Sequence, residues 1–214
     1  NANMVSNEVF IDSATLRENV VALARNIGYL PRSKKAARAT IKFFAQVEVI
    51  TPTPASITLR KGPVASTGQS FGSQSFVFNI PQDKTVSVVD STMGGGRKWA
   101  LFEDLEVYEG TLLDKTFTYS SRNPNQKFIL PNSGIDLETL TVHVKSNTSS
   151  TTKVEYVRQD DLFAEKTGTT ITGDSNVYFI QEVADEQYEL IFGDGIFGKA
   201  LQDGNVIEAS YIVT

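Results

Sequence analysis

The 214-residue sequence contains no cysteine, one histidine (His143), one tryptophan (Trp99) and two methionines. Without cysteine there are no disulfides, no thiolate metal ligands and no cysteine nucleophile, a composition that suits folding in a reducing cytoplasm. One histidine with no cysteine cannot build a zinc site alone. No Ser-His-Asp triad stands out, because no serine has the context of a nucleophile elbow. No apolar run reaches the roughly 18 residues that a membrane span requires. No signal-peptide pattern precedes the first strong periodicity, and the start Asn1-Ala2-Asn3-Met4 reads as that of a fragment of a longer polypeptide.

What remains is ordinary globular material: 40% hydrophobic and 21% charged residues, with a formal net charge of −5. The charge is unevenly placed. Residues 1–42 carry seven basic side chains (Arg17, Arg25, Arg32, Lys34, Lys35, Arg38, Lys42) against Glu8, Asp12 and Glu18, a balance of +4 that leaves −9 for the rest. A basic head on an acidic body suits docking against the acidic face of a neighbouring subunit. A solvated basic helix end is the plainer reading. Apart from one Tyr, the bases are not interleaved with aromatics, so nucleic acid is not an expected partner.

Periodicity divides the chain. Leu16, Val20, Leu23, Ala24 and Ile27 form one apolar stripe of a helix, with Thr15 and Glu18 at capping-box spacing, Ser13 or Asp12 as competing caps, and Gly28 and Pro31 as the stop. A second helical turn is expected over Ser33–Arg38. From Ala39 the period becomes 2: Ile41, Phe43, Ala45, Val47 and Val49 alternate with polar positions, and Phe44 breaks the pattern. Further strands are expected at 57–59, 76–80, 85–89, 101–108, 116–119, 127–130, 140–145, 153–157, 177–181, 188–192 and 206–213. Short strands joined by turn chemistry, with no alternating helices, predict a mainly β (α+β) fold: an N-terminal helix followed by antiparallel β-sandwich or barrel-like sheets. The expected division is a helical segment over 1–38, a first β domain over 39–120 and a second over 121–214.

Several motifs admit two readings. Gly193-Asp194-Gly195-Ile196-Phe197-Gly198 matches the dinucleotide fingerprint, but Asp203-Gly204-Asn205 turns the chain before a helix and second strand fit. The glycines are therefore read as a tight turn or bulge between the strands ending near Phe192 and starting near Val206, and binding surfaces are expected elsewhere. No cofactor is implied. Gly94-Gly95-Gly96-Arg97-Lys98 lacks the spacing of a phosphate loop and reads as a connection, with Trp99 packed beneath it or exposed. His143 shares a strand face with Thr141 and Lys145. Glu103, Asp104, Glu106 and Glu109, and the pair Asp160-Asp161, read as acids on wet faces rather than as a glycosidase pair. No spaced acidic loop for calcium is present. Trp99, Tyr108 and Tyr178 are the candidate aromatics for an alternative function, a carbohydrate- or receptor-binding module of a tail fibre or adhesin.

Two groups of segments together resemble the baseplate wedge proteins of contractile-tailed (myovirus) phages, in the baseplate-J-like group. One is Leu16-Arg17-Glu18-Asn19-Val20-Val21-Ala22-Leu23-Ala24-Arg25-Asn26-Ile27-Gly28-Tyr29-Leu30-Pro31 with Ser33-Lys34-Lys35-Ala36-Ala37. The other joins Val107-Tyr108-Glu109-Gly110-Thr111 to Tyr188-Glu189-Leu190-Ile191-Phe192-Gly193-Asp194-Gly195-Ile196-Phe197-Gly198-Lys199-Ala200-Leu201 and Asp203-Gly204-Asn205. The resemblance implies the N-terminal part of a large wedge subunit. Such a protein has no catalysis, associates with itself as a dimer within the assembly, joins other wedge proteins, and resides in the virion after assembly in the host cytoplasm. Arg25, Arg32, Lys34, Lys35 and Arg38 are the expected subunit contact, with no catalytic, cofactor or metal residues.

Overall fold

The structure is a computed structural model that describes residues 8–10, 12–26, 33–47, 53–67, 75–90, 98–159 and 171–214. It is mainly β, built largely from antiparallel pairings, with a parallel pairing between two strands of the second sheet. Helix α1, Arg17–Asn26, begins where Asn19 and Val20 donate their N–H groups to the Leu16 carbonyl. At its start the carboxylate of Glu8 accepts Thr15 N–H (3.0 Å), Leu16 N–H (3.3 Å), Thr15 Oγ1 (2.7 Å) and Asn19 Nδ2 (2.8 Å), and the Glu18 side chain of the expected capping box lies outside the described residues. One carboxylate thus satisfies the two backbone donors that lead into the helix and lies near the positive end of its dipole. These bonds, led by those from Asn19 and Thr15, hold Glu8 down from 4.5 to about 2. The expected helical turn at Ser33–Arg38 does not form. Ser33–Ala37 has no regular structure, and a strand starts at Arg38. Helix stop residues Gly28 and Pro31 lie outside the described residues.

The chain divides into two compact units. The unit formed by residues 35–113, 136–140 and 210–214 is built around a six-stranded sheet: β1 (Arg38–Val47), β2 (Ser56–Leu59), β3 (Gly62–Ser66), β4 (Val77–Ile80), β5 (Lys84–Asp90) and β6 (Lys98–Glu109). Strand β6 is the spine. It pairs with β1 along its length, with β5 near Lys98–Ala100 and with β4 near Tyr108–Glu109. At Lys42, one β1 residue faces Glu103 and Asp104, and Asp104 takes a φ of 49°. This bulge re-phases β6 so that Ala100 and Phe102 before it, and Leu105 and Val107 after it, all point inward. They join two apolar clusters, one with Val47, Phe43, Ile57 and Val88 and the other with Ile80, Ile41, Val64 and Phe78. The Phe43 and Phe102 rings stack at 4.9 Å. Phe44 does not break the period of β1: it points outward, opposite Leu101 and edge-on to Trp99 at 4.6 Å.

Strand β3 has no counterpart in the periodicity. It holds Gly62 and Pro63 and lies at the end of the strand order, where the missing proline N–H is tolerated.

The second sheet has the order β7 (Thr111–Thr118), β13 (Val206–Val213), β9 (Ile135–Lys145), β10 (Val154–Arg158), β11 (Val177–Glu182), β12 (Tyr188–Phe192) and β8 (Phe128–Leu130). Pairing between β10 and β11 is parallel, with Val157 opposite Val177. In the unit formed by residues 1–34, 114–135 and 141–209, Leu130, Val142, Tyr178, Leu190 and Ile207 are buried. The Phe192 ring meets Phe128 at 5.6 Å, Tyr156 at 5.7 Å and Tyr178 at 6.4 Å, an aromatic cluster that fixes the end of β12.

Candidate interface surfaces

The predicted contact residues fall into separate groups. Arg32 and the Arg25 side chain lie outside the described residues. Lys34 is exposed. Lys35 pairs with Glu138 at 2.6 Å, the two side chains 65% and 49% exposed. Arg38 opens β1 opposite Tyr108, whose hydroxyl donates to Glu106 at 3.0 Å. Burial, and then the Glu106 carboxylate, raise the Tyr108 phenol above its ordinary value.

The backbone beneath Lys35 and Arg38 is fixed by a residue the sequence did not single out. Asp136, 2% exposed, accepts the Ala36 N–H at 2.9 Å through Oδ2 and the Glu138 N–H at 2.9 Å through Oδ1. Its carbonyl accepts the Thr139 hydroxyl at 2.8 Å, and that hydroxyl oxygen accepts the Ile212 N–H at 3.0 Å. The Ala37 carbonyl accepts the Glu109 N–H at 2.8 Å. An extended segment is thereby held with its cationic side chains outward. The only sequence signal for this role is an acid within the apolar run that opens β9.

The second surface is the glycine-punctuated loop after Phe192. Asp194 Oδ1 accepts the N–H groups of Ile196 (2.8 Å) and Phe197 (2.9 Å). These two bonds, that from Phe197 first, hold the carboxyl below its usual range. Gly195 N–H donates to the Gly198 carbonyl at 3.0 Å, closing the loop on itself. A neighbouring turn braces it: the Thr172 carbonyl accepts Gly198 N–H at 3.1 Å, and the Ser175 carbonyl accepts Lys199 N–H at 2.8 Å. A side chain on Gly193 would collide with the Gly198 backbone, and Gly198 has a φ of +88°. Ile196 and Phe197 project from this frame, 69% and 44% exposed. Nothing helical follows Gly198. Asp203 Oδ1 instead accepts Ser121 N–H at 2.7 Å, Gln202 N–H donates to Asn205 Oδ1 at 2.8 Å, and β13 begins at Val206.

Other expected positions are structural. His143 lies half-buried opposite Glu155, on the face of β9 that carries Thr141 and Lys145. On the same strand Lys145 reaches Glu208 at 2.7 Å, and Lys153 reaches the other Glu208 oxygen at 2.5 Å. The two ammonium groups, Lys145 first, hold the Glu208 carboxyl below its usual range. Glu103 pairs with Lys42 on the exposed face of β6, and Asp104 and Glu106 are exposed. Asp160, Asp161 and the Gly94–Gly96 loop lie outside the described residues. Tyr178 is 2% exposed and unavailable as a recognition aromatic. Among the described residues, no group of three or more His, Cys, Asp or Glu could hold a metal ion, and no helix is long and apolar enough to cross a membrane. No protein-family model and no curated protein matches this sequence.

Proposed function

We propose that this chain is a structural subunit of a contractile-tail baseplate wedge, acting through self-association and contacts with other wedge proteins. The observation that carries the reading is the ordered set of motifs from Leu16 to Thr214, which resembles the N-terminal part of the large wedge subunit. In this reading the N-terminal helix forms a basic head, and the sheets close toward sandwich or barrel forms that resist bending. Lys34, Lys35 and Arg38, with Arg25 and Arg32, supply an orientation-specific contact to an acidic partner face. The exposure of Lys34, Lys35 and Arg38, and the anchoring of the Lys35–Arg38 backbone, support that role.

The test is reconstitution. Light scattering of the chain alone gives its homo-oligomeric state, for which the reading expects a dimer. Mixing with purified neighbouring wedge proteins is expected to give a larger defined complex. Replacing Arg25, Arg32, Lys34, Lys35 and Arg38 together by Glu is expected to abolish that complex while the β spectrum is retained. An intact complex in this variant removes the proposed contact, and no complex with the unaltered chain removes the wedge reading.

A further inference from the structure

We infer that the outer edge of β1 is a self-association surface: β1 of a second copy pairs with it antiparallel about a two-fold axis at Phe43, joining two sheets into one. Among the described residues β1 has a single partner strand, β6. Backbone groups of successive residues in an antiparallel strand point to alternate sides. The Ala37 carbonyl is turned toward β6, where it accepts the Glu109 N–H at 2.8 Å, and the odd-numbered residues of β1 follow it. The N–H and C=O groups of Thr40, Lys42, Phe44 and Gln46 therefore point away from β6. All four residues are exposed.

Edges that offer such a row of backbone groups are ordinarily blunted. The other side of this sheet is. There β2 is four residues long, and β3 contains Gly62 and Pro63 with an irregular register between Pro63 and Ala65. Strand β1 runs for ten residues without glycine or proline, and the irregular residue beside it, Asp104, belongs to β6. Its mid-strand cation, Lys42, is drawn onto Glu103 of β6. That pairing leaves little uncompensated charge for an acidic strand to meet, and it relieves repulsion between two copies.

The sequence of β1 is complementary to itself in one register. With the axis at Phe43, the edge-facing pairs are Thr40 with the partner's Gln46 and Lys42 with the partner's Phe44, each repeated by symmetry. The Lys42 stem then covers the Phe44 ring, which is 62% exposed in the single chain. On the opposite face, half-buried Phe43 meets its own copy and half-buried Ile41 meets the partner's Ala45, so the apolar side of the sheet continues across the axis. Moving the axis to Lys42 sets like charges directly opposite, and moving it to Phe44 shortens the ladder. Arg38 stays outside the paired stretch. The pairing rests on the wedge reading only for the expectation of a dimer, and it gives that dimer a surface.

Amide exchange of the full chain at rising concentration, beside light scattering, tests the pairing. The amides of Thr40, Lys42, Phe44 and Gln46 are expected to gain protection in step with dimer formation. Those of Phe43 and Ala45, turned toward β6, should be protected at every concentration. Thr40→Pro removes an edge donor alone and sets a ring where the second strand lies. Its dimer is expected to be about a hundredfold weaker, with the amides facing β6 unchanged. A dimer whose four edge amides stay unprotected, a Thr40→Pro dimer of undiminished strength, or a chain monomeric throughout overturns the pairing. Should Thr40→Pro fail to fold, the exchange pattern of the unaltered chain decides. Mixing with purified neighbouring wedge proteins separates the two claims. A β1-paired dimer that joins none of them keeps the pairing and removes the wedge reading, whereas a defined complex built on an unpaired β1 edge does the reverse.

Discussion

The carboxylate of Asp136 accepts the backbone N–H of Ala36 at 2.9 Å, joining positions 100 residues apart in the sequence. Its second oxygen is occupied by the Glu138 N–H, so a single buried side chain satisfies two backbone donors. Asp136→Ala is expected to cost about 2–3 kcal/mol, since it leaves buried donors unpaired. Asp136→Asn keeps one acceptor oxygen and should cost less. Urea unfolding of the three proteins checks the order.

Lys35 rests on that frame yet contributes little to it. Its pair with Glu138 is solvent-exposed on both sides, so Lys35→Ala should change stability by less than about 1 kcal/mol. Lys35→Glu should likewise leave the fold intact, which lets any assembly defect be assigned to the interface. Thermal unfolding beside the reconstitution assay makes the distinction.

The bulge at Asp104 makes a contrast between neighbouring rings. Phe102 is 2% exposed and stacked on Phe43, whereas Phe44 is 62% exposed and meets Trp99 only by an edge. Phe102→Ala is expected to destabilise by about 3–5 kcal/mol through cavity formation. Phe44→Ala should cost about 1 kcal/mol, the scale of an aromatic edge contact. Denaturant midpoints at equal m-value test both.

Acid should weaken the start of helix α1. Glu8 has its carboxyl depressed from 4.5 to about 2, so its support for the helix is fully present above pH 4.5 and is lost as pH falls toward 2. Protection factors at Asn19 and Val20, taken relative to the intrinsic exchange rate at each pH, are expected to fall across that window, and Glu8→Gln should flatten the dependence. Protection factors unchanged between pH 5 and 2.5 in the unaltered protein would contradict the cap.

Gly193→Ala is expected to cost about 1–3 kcal/mol, as for a group forced into filled space. The amides of Gly198 and Lys199 should lose protection in that variant while those of β12 keep theirs. Residue-resolved exchange tests the pattern.

Much of the strand placement is local chemistry and could be read directly. Alternation along Ile41–Val47 and the apolar runs at Tyr188–Phe192 and Val206–Val213 put side chains on set faces because the pleat has a period of 2. The charge split between a basic head and an acidic body, and the lack of any thiol, are also properties of sequence alone. The absence of room for a nucleotide-binding helix after Gly198 followed from spacing.

Register, bulges and long-range anchors were not legible. Lys42 against Glu103 and Asp104 is a two-to-one pairing that exists only once β1 and β6 lie side by side, and it restores an inward face that a strict alternation would lose. Strand β3 forms because β4 offers it a partner, against the preference of Gly62 and Pro63. Glu8 joins the start of the helix because the chain before α1 brings its carboxylate to Thr15, Leu16 and Asn19. Composition could mark Ile196 and Phe197 as apolar; the loop that presents them is braced by carbonyl acceptors supplied by Thr172 and Ser175, more than twenty residues earlier. The sequence by itself determined which segments extend and where charge and glycine accumulate, because these depend on neighbours along the chain. Only the tertiary structure decided which side chains became buried anchors and which were held out in solvent, because those outcomes depend on contacts between distant parts of the chain.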